Sequence, residues 1–299
     1  MNVRRMFGMV MTKDSGRYTT ATLESFFSRT QFQSETDHFL LIDIDAAGKT
    51  EDLRSSFSGI EIVTNLQPKS FAENGNLVIS RASETDADAY FLNNDVIFPP
   101  DWIAPLDVPM PAVLAPTSNQ NFQYRHGALE TKPVMKLEEY VGKEKDFEEI
   151  VAQHRLSHFG YDMAYKTNFF TVKIPSVVYK KIGGFDTTFG VAGGEDDDYC
   201  IRAYLGGFSV QVAVQSYCLH FGGKSTWDGP ESKEKWRERE AIFIRRFQEK
   251  WGQYLAQFLL TKDARLIDRY PEFKSALAEG GIAALFAAMR NKESNGGST

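Results

Sequence analysis

Short apolar runs and segments with apolar residues at helical spacing alternate along the first third of the chain. The runs predict strands at residues 6–12, 39–44, 61–64 and 89–92, and the segments between them predict helices at residues 18–29, 51–57 and 70–82. Strands that alternate with helices favour a mostly parallel sheet. The pattern therefore predicts an α/β fold.

The second half of the chain is less regular. Residues 168–174 and 210–214 predict strands, and residues 176–182 predict a short helix. Residues 130–155 are charged and helix-prone without a clear apolar face, and we interpret them as a mobile lid or an insertion on the acceptor side. Beyond residue 230 the pattern is helical and ends in a polar stretch. We predict a main domain at residues 1–230 and a C-terminal helical extension at residues 231–299 with a disordered tail.

Composition and charge narrow the class of protein. The chain has 34 basic and 40 acidic residues and no basic block, so no nucleic-acid partner is expected. Two cysteines in 299 residues do not indicate a disulfide framework, which favours a reducing compartment. Apolar stretches long enough for a signal peptide or a membrane span are missing from the sequence. These features predict a cytoplasmic protein, and peripheral contact with a membrane is left open.

Four consecutive carboxylates follow Gly193 and Gly194, and they are Glu195, Asp196, Asp197 and Asp198. Like charges this dense repel one another, so a cation, solvent or a helix N-terminus must accommodate them. The segment predicts a loop that enters a helix. Its carboxylates either form a solvated first turn or face a cation or a hydroxyl that is to be deprotonated.

Two further segments end in polar side chains. Asn93, Asn94 and Asp95 follow the predicted strand at 89–92, and His220 follows the predicted strand at 210–214. Open α/β sheets bind ligands at the carboxyl ends of their strands, where these side chains would lie. Taken singly, an Asn-Asn-Asp run is more often a turn and a lone histidine more often structural. The combination favours a ligand site.

The order of these motifs resembles the family 2 glycosyltransferases with the GT-A fold. The motifs are Leu92-Asn93-Asn94-Asp95, Gly183-Gly184-Phe185-Asp186, Glu195-Asp196 with Asp198-Tyr199 and Arg202, and His220 with Gly222-Gly223. The acidic motif is also similar to that of inverting β-1,4-galactosyltransferases. The resemblance covers residues 6–228 and implies a GT-A (Rossmann-like) nucleotide-diphospho-sugar transferase fold with a mostly parallel central sheet.

The resemblance implies a metal-dependent hexosyltransferase that is expected to invert the anomeric centre. Asp95 and His220 are the expected ligands of Mn²⁺ or Mg²⁺, since oxygen with one imidazole suits Mn²⁺ in particular. Asp196 is the expected general base, and Glu195 is expected to hold the acceptor or orient the loop. This chain has Asn93-Asn94-Asp95 where relatives have Asp-x-Asp. One carboxylate is left in the motif, which makes His220 more important as a metal ligand.

Further residues are expected to bind the nucleotide sugar, either because they match positions in relatives or, like Lys224, because they follow His220. They are Thr12, Arg17, Asp43, Asn76, Asn94, Asp95 and Lys224. The expected donor is a UDP- or GDP-sugar, and the expected acceptor is a glycan, a lipid-linked molecule or a protein. Association of two copies through the C-terminal helices is a further expectation.

Three alternatives remain open at this point. Residues 40–45 resemble the first motif of haloacid-dehalogenase-type phosphohydrolases, with Asp43 as nucleophile and Asp45 as acid or base. Residues 222–226 look like the end of a P-loop, although Cys218 stands where that motif requires glycine. A non-catalytic fold that binds sugar is the third alternative, because the predicted metal motif has a single aspartate.

Overall fold

The computed structural model describes residues 4–12, 15–44, 50–223 and 233–296. The strands are β1 (Arg5–Met11), β2 (Asp37–Asp43), β3 (Ile60–Thr64), β4 (Asp88–Asn93), β5 (Val96–Ile97), β6 (Ala112–Ser118), β7 (Arg125–His126), β8 (Leu129–Glu130), β9 (Tyr161–Met163), β10 (Thr171–Ile174) and β11 (Ser209–His220). The α-helices are α1 (Gly16–Arg29), α2 (Thr50–Ser56), α3 (Phe71–Thr85), α4 (Leu137–Tyr140), α5 (Glu144–Ser157), α6 (Ser176–Ile182), α7 (Glu195–Leu205), α8 (Lys233–Trp251), α9 (Gln253–Leu259), α10 (Arg265–Arg269) and α11 (Pro271–Gly296).

A nine-stranded sheet has the order β3-β2-β1-β4-β10-β6-β11-β5, and β9 pairs with β11. Strands β3, β2, β1 and β4 are parallel, as the alternating pattern predicts, while β10 is antiparallel to both β4 and β6. Strand β11 is parallel to β6. The carboxyl ends of β1, β2, β4 and β11 therefore lie at one edge of the sheet, together with the amino end of β10.

Apolar side chains cover both faces of the sheet. Along β4, Tyr90 and Leu92 pack with α1 on one face, whereas Phe91 packs on the opposite face with α3 and α7. This alternation follows from the two-residue period of a strand. The sheet is thus buried between two helical layers, and its carboxyl edge is left to carry the site.

The C-terminal helices add to the core beside α7. Trp251, Leu285, Phe286 and Met289 are almost inaccessible and belong to the same cluster as Tyr199 of α7. Helix α11 is broken at Gly281, whose φ is 68°, and extends to Gly296. The apolar run at 282–289 is therefore part of the core, while the domain boundary at residue 230 stays a prediction. No helix of the described segments is long and apolar enough to cross a membrane.

Two expectations for the second half differ from the structure. Helix α5 does have an apolar face, since Phe147, Ile150, Val151 and His154 are buried and pack toward β11. Charged residues between these positions concealed the helical spacing. Strand β11 continues from the predicted stretch at 210–214 to His220, across an irregularity between Ala213 and Tyr217. The longer strand carries His220 to the carboxyl edge of the sheet.

Candidate active site

The turn after β4 meets the end of β11. Strand β5 pairs with β11 so that Val96 lies opposite His220, and the Phe221 amide donates to the Asp95 carbonyl at 3.0 Å. This pairing places Oδ1 of Asp95 at 3.3 Å from Nε2 of His220. Two segments more than a hundred residues apart in sequence are thereby held side by side.

The imidazole of His220 is held by its surroundings. Its ring stacks on Phe170 with a centroid distance of 4.8 Å and an interplanar angle of 12°. The Asn119 side chain fixes the backbone, because it accepts from the His220 amide at 2.7 Å and donates to the His220 carbonyl at 2.9 Å. Neither ring nitrogen makes a hydrogen bond to any residue that the structure describes. The ring is therefore held in place, and its Nε2 faces the Asp95 carboxylate.

This pair fits a divalent cation. Two ligands at about 2.2 Å from one ion, at right angles, lie about 3.1 Å apart, which is close to the separation of Asp95 and His220. A carboxylate oxygen with an imidazole nitrogen is a donor set suited to Mn²⁺. Among the described residues, no group of three His, Cys, Asp or Glu side chains forms a metal cluster. Within the described residues, a cation held here has these two protein ligands, and its remaining positions are left to other donors.

Two glycines shape the entry to α7. The φ angles are 112° at Gly193 and 86° at Gly194, in the region that L side chains avoid. A Cβ at Gly193 would lie 2.8 Å from the Phe243 ring. The positive φ angles let the chain turn sharply into α7. Glu195 and Asp196, in the first turn of the helix, then face the carboxyl edge of the sheet.

Asp196 has one oxygen held and one that is not hydrogen-bonded. Oδ2 accepts from the Phe169 amide at 3.0 Å, whereas Oδ1 is buried and makes no hydrogen bond within the described part of the chain. Burial raises the pKa of Asp196 well above its ordinary value, and repulsion from Glu195 adds to this effect. The carboxyl group is therefore oriented, and burial makes it a stronger base than an exposed aspartate.

The other three carboxylates of the run have different surroundings. Glu195 accepts from the Gly193 amide at 2.5 Å, and burial raises its pKa. Asp197 pairs with Lys166 at 2.9 Å. Asp198 is inaccessible and contacts Arg202 at 2.7 Å, Lys250 at 2.6 Å and the Trp251 indole at 2.8 Å. Asp198 therefore fixes α7 to α8, while Glu195 and Asp196 remain beside the site.

One cavity of about 240 Å³ joins these features. It is lined by Phe71, Asn93, Gln120, Asn168, Phe169, Phe170, Ala192, Glu195, Asp196, His220 and Gly223. The side chains of Asn93, Gln120 and Asn168 make no hydrogen bond to the described residues. The cavity, called the site cavity below, thus combines His220, the acidic turn and three amides that are available to a ligand.

The predicted nucleotide-binding residues are only partly brought together. Thr12 directly follows β1, and Asp43 is the last residue of β2. Because β1 and β2 are parallel neighbours, both residues lie at the carboxyl edge of the sheet. Arg17 is exposed on α1 and pairs with Glu138 at 2.8 Å. Lys224 lies outside the described residues. The nucleotide-binding roles of all four stay predictions.

Two predicted ligand residues make contacts within the protein. The Asn76 amide both donates to and accepts from the Phe185 backbone, at 2.9 and 2.6 Å, and so holds the loop after α6. The Asn94 amide donates to Ser15 and Thr19, both at 2.7 Å. These contacts give Asn76 and Asn94 structural roles, and contact of either residue with a nucleotide sugar stays a prediction.

Sequence reasoning missed Asn119 and Phe170. The signal for Asn119 was present, because an apolar run at 112–115 ends in polar residues, as the run before Asn93 does. Pro116 concealed it, since proline is unfavourable inside a sheet. The structure accommodates Pro116 beside the irregularity in β11, where regular pairing with β6 is interrupted. Phe170 has no comparable signal in the sequence, because its role is to stack on His220, which lies at the end of the distant strand β11.

No protein-family model matches the sequence, and no curated protein sequence matches it. Solved structures do resemble it. The structure of GalNAc-T7 with UDP, GalNAc and Mn²⁺ has a TM-score of 0.56 at 12% identity, over 90% of this chain and 59% of that one. The mannosyltransferase PcManGT of Pyrobaculum calidifontis, with GDP-Man and Mn²⁺, has a TM-score of 0.52 at 12% identity, over 98% and 88%.

This chain therefore spans less than two thirds of the GalNAc-T7 chain and most of the mannosyltransferase chain. Both matches are to glycosyltransferases of the GT-A class, and the expected fold is confirmed. The protein has the GT-A fold with a mostly parallel central sheet and helices at its C-terminus.

Proposed function

We propose that the protein is a metal-dependent glycosyltransferase that moves a sugar from a nucleotide-diphosphate sugar to an acceptor hydroxyl with inversion. The observation that supports it most is the site cavity, in which His220, beside Asp95, and Asp196 line or adjoin one space on a GT-A fold. The reaction requires a group at the diphosphate and a base at the acceptor, and the cavity supplies a candidate for each.

Asp95 and His220 would hold Mn²⁺ or Mg²⁺ against the diphosphate. The cation supplies Lewis-acid chemistry that offsets the negative charge growing on the β-phosphate oxygen. The Phe170 ring and the Asn119 amide keep the imidazole oriented toward this position. Thr12 and Asp43, at the same edge of the sheet, would contact the nucleoside.

Asp196 would take the proton of the acceptor hydroxyl. As that oxygen forms its bond to the anomeric carbon, the bond from this carbon to the phosphate oxygen breaks, the proton moves to Oδ1 and the nucleoside diphosphate leaves. The Phe169 amide holds Oδ2 and keeps Oδ1 directed. The raised pKa of Asp196 supports this role, since a carboxylate with a higher pKa accepts a proton more readily. A single base opposite the leaving group produces inversion.

The three amides of the site cavity support a sugar as the bound group. Asn93, Gln120 and Asn168 each offer a donor and an acceptor, which suits hydroxyl groups. Asp196 is negatively charged when it acts as the base, so a neutral donor sugar is favoured over one that carries a carboxylate. The expected acceptor is a glycan, a lipid-linked molecule or a protein.

Two of the three alternatives, the phosphohydrolase and the P-loop protein, receive no comparable support. The fold found is GT-A, which differs from the fold that a dehalogenase-type phosphohydrolase would need. Asp43 lies in β2, between β1 and β3, and Asp45 falls outside the described residues. Cys218 lies within β11, whereas the P-loop motif requires a loop glycine at that position.

Turnover tests the assignment of the base. Nucleotide sugars are screened for Mn²⁺-dependent hydrolysis or transfer, and Asp196→Asn is compared with Asp162→Asn on the exposed strand β9 as the matched control. Loss of roughly a hundredfold or more in kcat is expected for Asp196→Asn, with nucleotide binding retained, and wild-type turnover is expected for the control. Near-normal turnover in Asp196→Asn would remove Asp196 from the mechanism.

A further inference from the structure

Helix α1 carries a row of hydroxyl groups on the face that meets residues 94–98. Ser15 precedes the helix, and Thr19, Thr22 and Ser25 follow at intervals of four, three and three residues. These intervals keep the side chains on one side of a helix. Ser15, Thr19 and Thr22 are almost inaccessible to solvent. Buried hydroxyls in such a row require partners.

Each hydroxyl contacts the segment that continues from the metal-binding turn. The Asn94 amide donates to Ser15 and Thr19, both at 2.7 Å, and the Val96 amide donates to Thr22 at 3.1 Å. Further along, the Phe98 backbone amide donates to Ser25 at 3.1 Å. The carboxylate of residue 95 is therefore flanked on both sides by residues bound to α1.

These hydroxyls take the place of a neighbouring strand. In the part of the chain that the structure describes, β5 pairs only with β11, through Val96 and Ile97. The backbone amides of Val96 and Phe98 would otherwise be buried without an acceptor, which is costly. Hydroxyl oxygens on α1 accept from them instead. The segment is thus held between β11 and a helix.

The orientation of the Asn94 amide follows from the same contacts. Ser15 donates its hydroxyl hydrogen to the Thr12 carbonyl at 2.8 Å, and Thr19 donates to the Ser15 carbonyl at 3.0 Å. Both hydroxyls can therefore only accept from Asn94, so its NH₂ group must face them. Because the Ser15 hydroxyl also accepts from the Thr12 amide at 2.9 Å, the end of β1 and the turn at Asp95 share one hydrogen-bonded group.

We propose that Ser15, Thr19 and Thr22 are positioning residues for Asp95. They fix the turn on which its carboxylate is presented to His220, and through Thr12 they tie that turn to the predicted nucleoside-binding edge. The proposal rests on the proposed function, since it requires a cation at Asp95 and His220 that binds a diphosphate.

The test compares three variants of adjacent positions on α1. Thr19→Val keeps the shape of the side chain and removes the acceptor, Thr19→Ser restores the hydroxyl, and Thr20→Val is the control. The Thr20 hydroxyl donates to the Gly16 carbonyl of its own helix, at 3.0 Å, and has no contact with the turn. Calorimetry with UDP and with GDP, in the presence and absence of Mn²⁺, gives the factor by which Mn²⁺ tightens nucleotide binding.

This factor is expected to fall at least about tenfold in Thr19→Val, while metal-free nucleotide affinity stays within about twofold of wild type. Thr19→Ser and Thr20→Val should keep the wild-type factor. A Thr19→Val protein with an unchanged factor, or with equal losses in both conditions, would overturn the positioning role alone. A wild-type protein that gains no nucleotide affinity from Mn²⁺ would instead overturn the proposed function and this inference with it.

Discussion

Asp198 offers the sharpest test of how the acidic run divides between structure and chemistry. Asp198→Asn removes the charge and keeps the size of the side chain. The carboxylate is inaccessible and contacts Arg202, Lys250 and the Trp251 indole, so the change leaves two cations facing an amide. We expect Asp198→Asn to lower the free energy of unfolding substantially. Asp196→Asn should lower it little, because burial already favours the neutral form of Asp196.

The contacts set the size of the loss. Breaking a buried ion pair by removing one partner costs about 3–5 kcal/mol. Lys250 keeps Asp186 at 2.5 Å, and Arg202 keeps the Ile182 carbonyl at 2.9 Å, so the lower end of that range applies. For 299 residues with an unfolding entropy of roughly 2.1 cal/mol/K each, about 3 kcal/mol corresponds to about 5 °C in Tm.

Thermal and urea unfolding followed by circular dichroism measure this loss. Asp197→Asn is the matched control, because Asp197 has one ion-pair partner, Lys166, and burial raises its pKa, so the expected loss is about 1 kcal/mol or less. Equal losses for Asp197→Asn and Asp198→Asn would refute the division of roles within the run.

Three further predictions concern the site cavity. As pH is lowered, kcat should fall with a midpoint well above the ordinary pKa of an aspartate, because Asp196 becomes protonated at its raised pKa. The residual rate of Asp196→Asn should not show this fall. The stability that protonated Asp196 contributes is lost as pH rises through its raised pKa, so Asp196→Asn should also weaken the fall of Tm with pH in that window. Gly193→Ala should lower kcat and Tm together, because the φ of 112° and the contact of the new Cβ with Phe243 force the turn to move. The control Gly160→Ala should lower Tm alone, because Gly160 has a φ of 79° but open space around it. In calorimetry, UDP-glucose should bind about tenfold or more tightly than UDP-glucuronic acid, and equal affinities would contradict the role given to the negative charge of ionised Asp196.

Much of the fold could be predicted from local pattern. The alternation of apolar runs and helices fixes the parallel half of the sheet, and polar residues directly after a run mark its carboxyl edge, as at Asn93. Four strands and three helices of the first 93 residues lie within a few residues of their predicted positions. The signals suffice there because strand period and helix period are local properties.

The division of labour within the site could not be predicted in this way. Local pattern does not separate Asp196 from Asp198, and only the family resemblance assigned the base to Asp196. The helix turns the two side chains toward different partners, and those of Asp198 on α8 lie far along the chain. Asn94 stands in a ligand-like motif, yet its amide is used by hydroxyls of α1. Such roles depend on which distant groups the folded chain brings together.

Binding of UDP and GDP to the wild-type protein and to Asp95→Ala, with and without Mn²⁺, tests the central claim most directly. If Asp95 and His220 hold the cation that binds the diphosphate, Mn²⁺ will tighten binding to the wild type about tenfold or more and will have no effect on Asp95→Ala. Nucleotide affinities that ignore Mn²⁺ in the wild type, or that respond to it equally in Asp95→Ala, would contradict the claim.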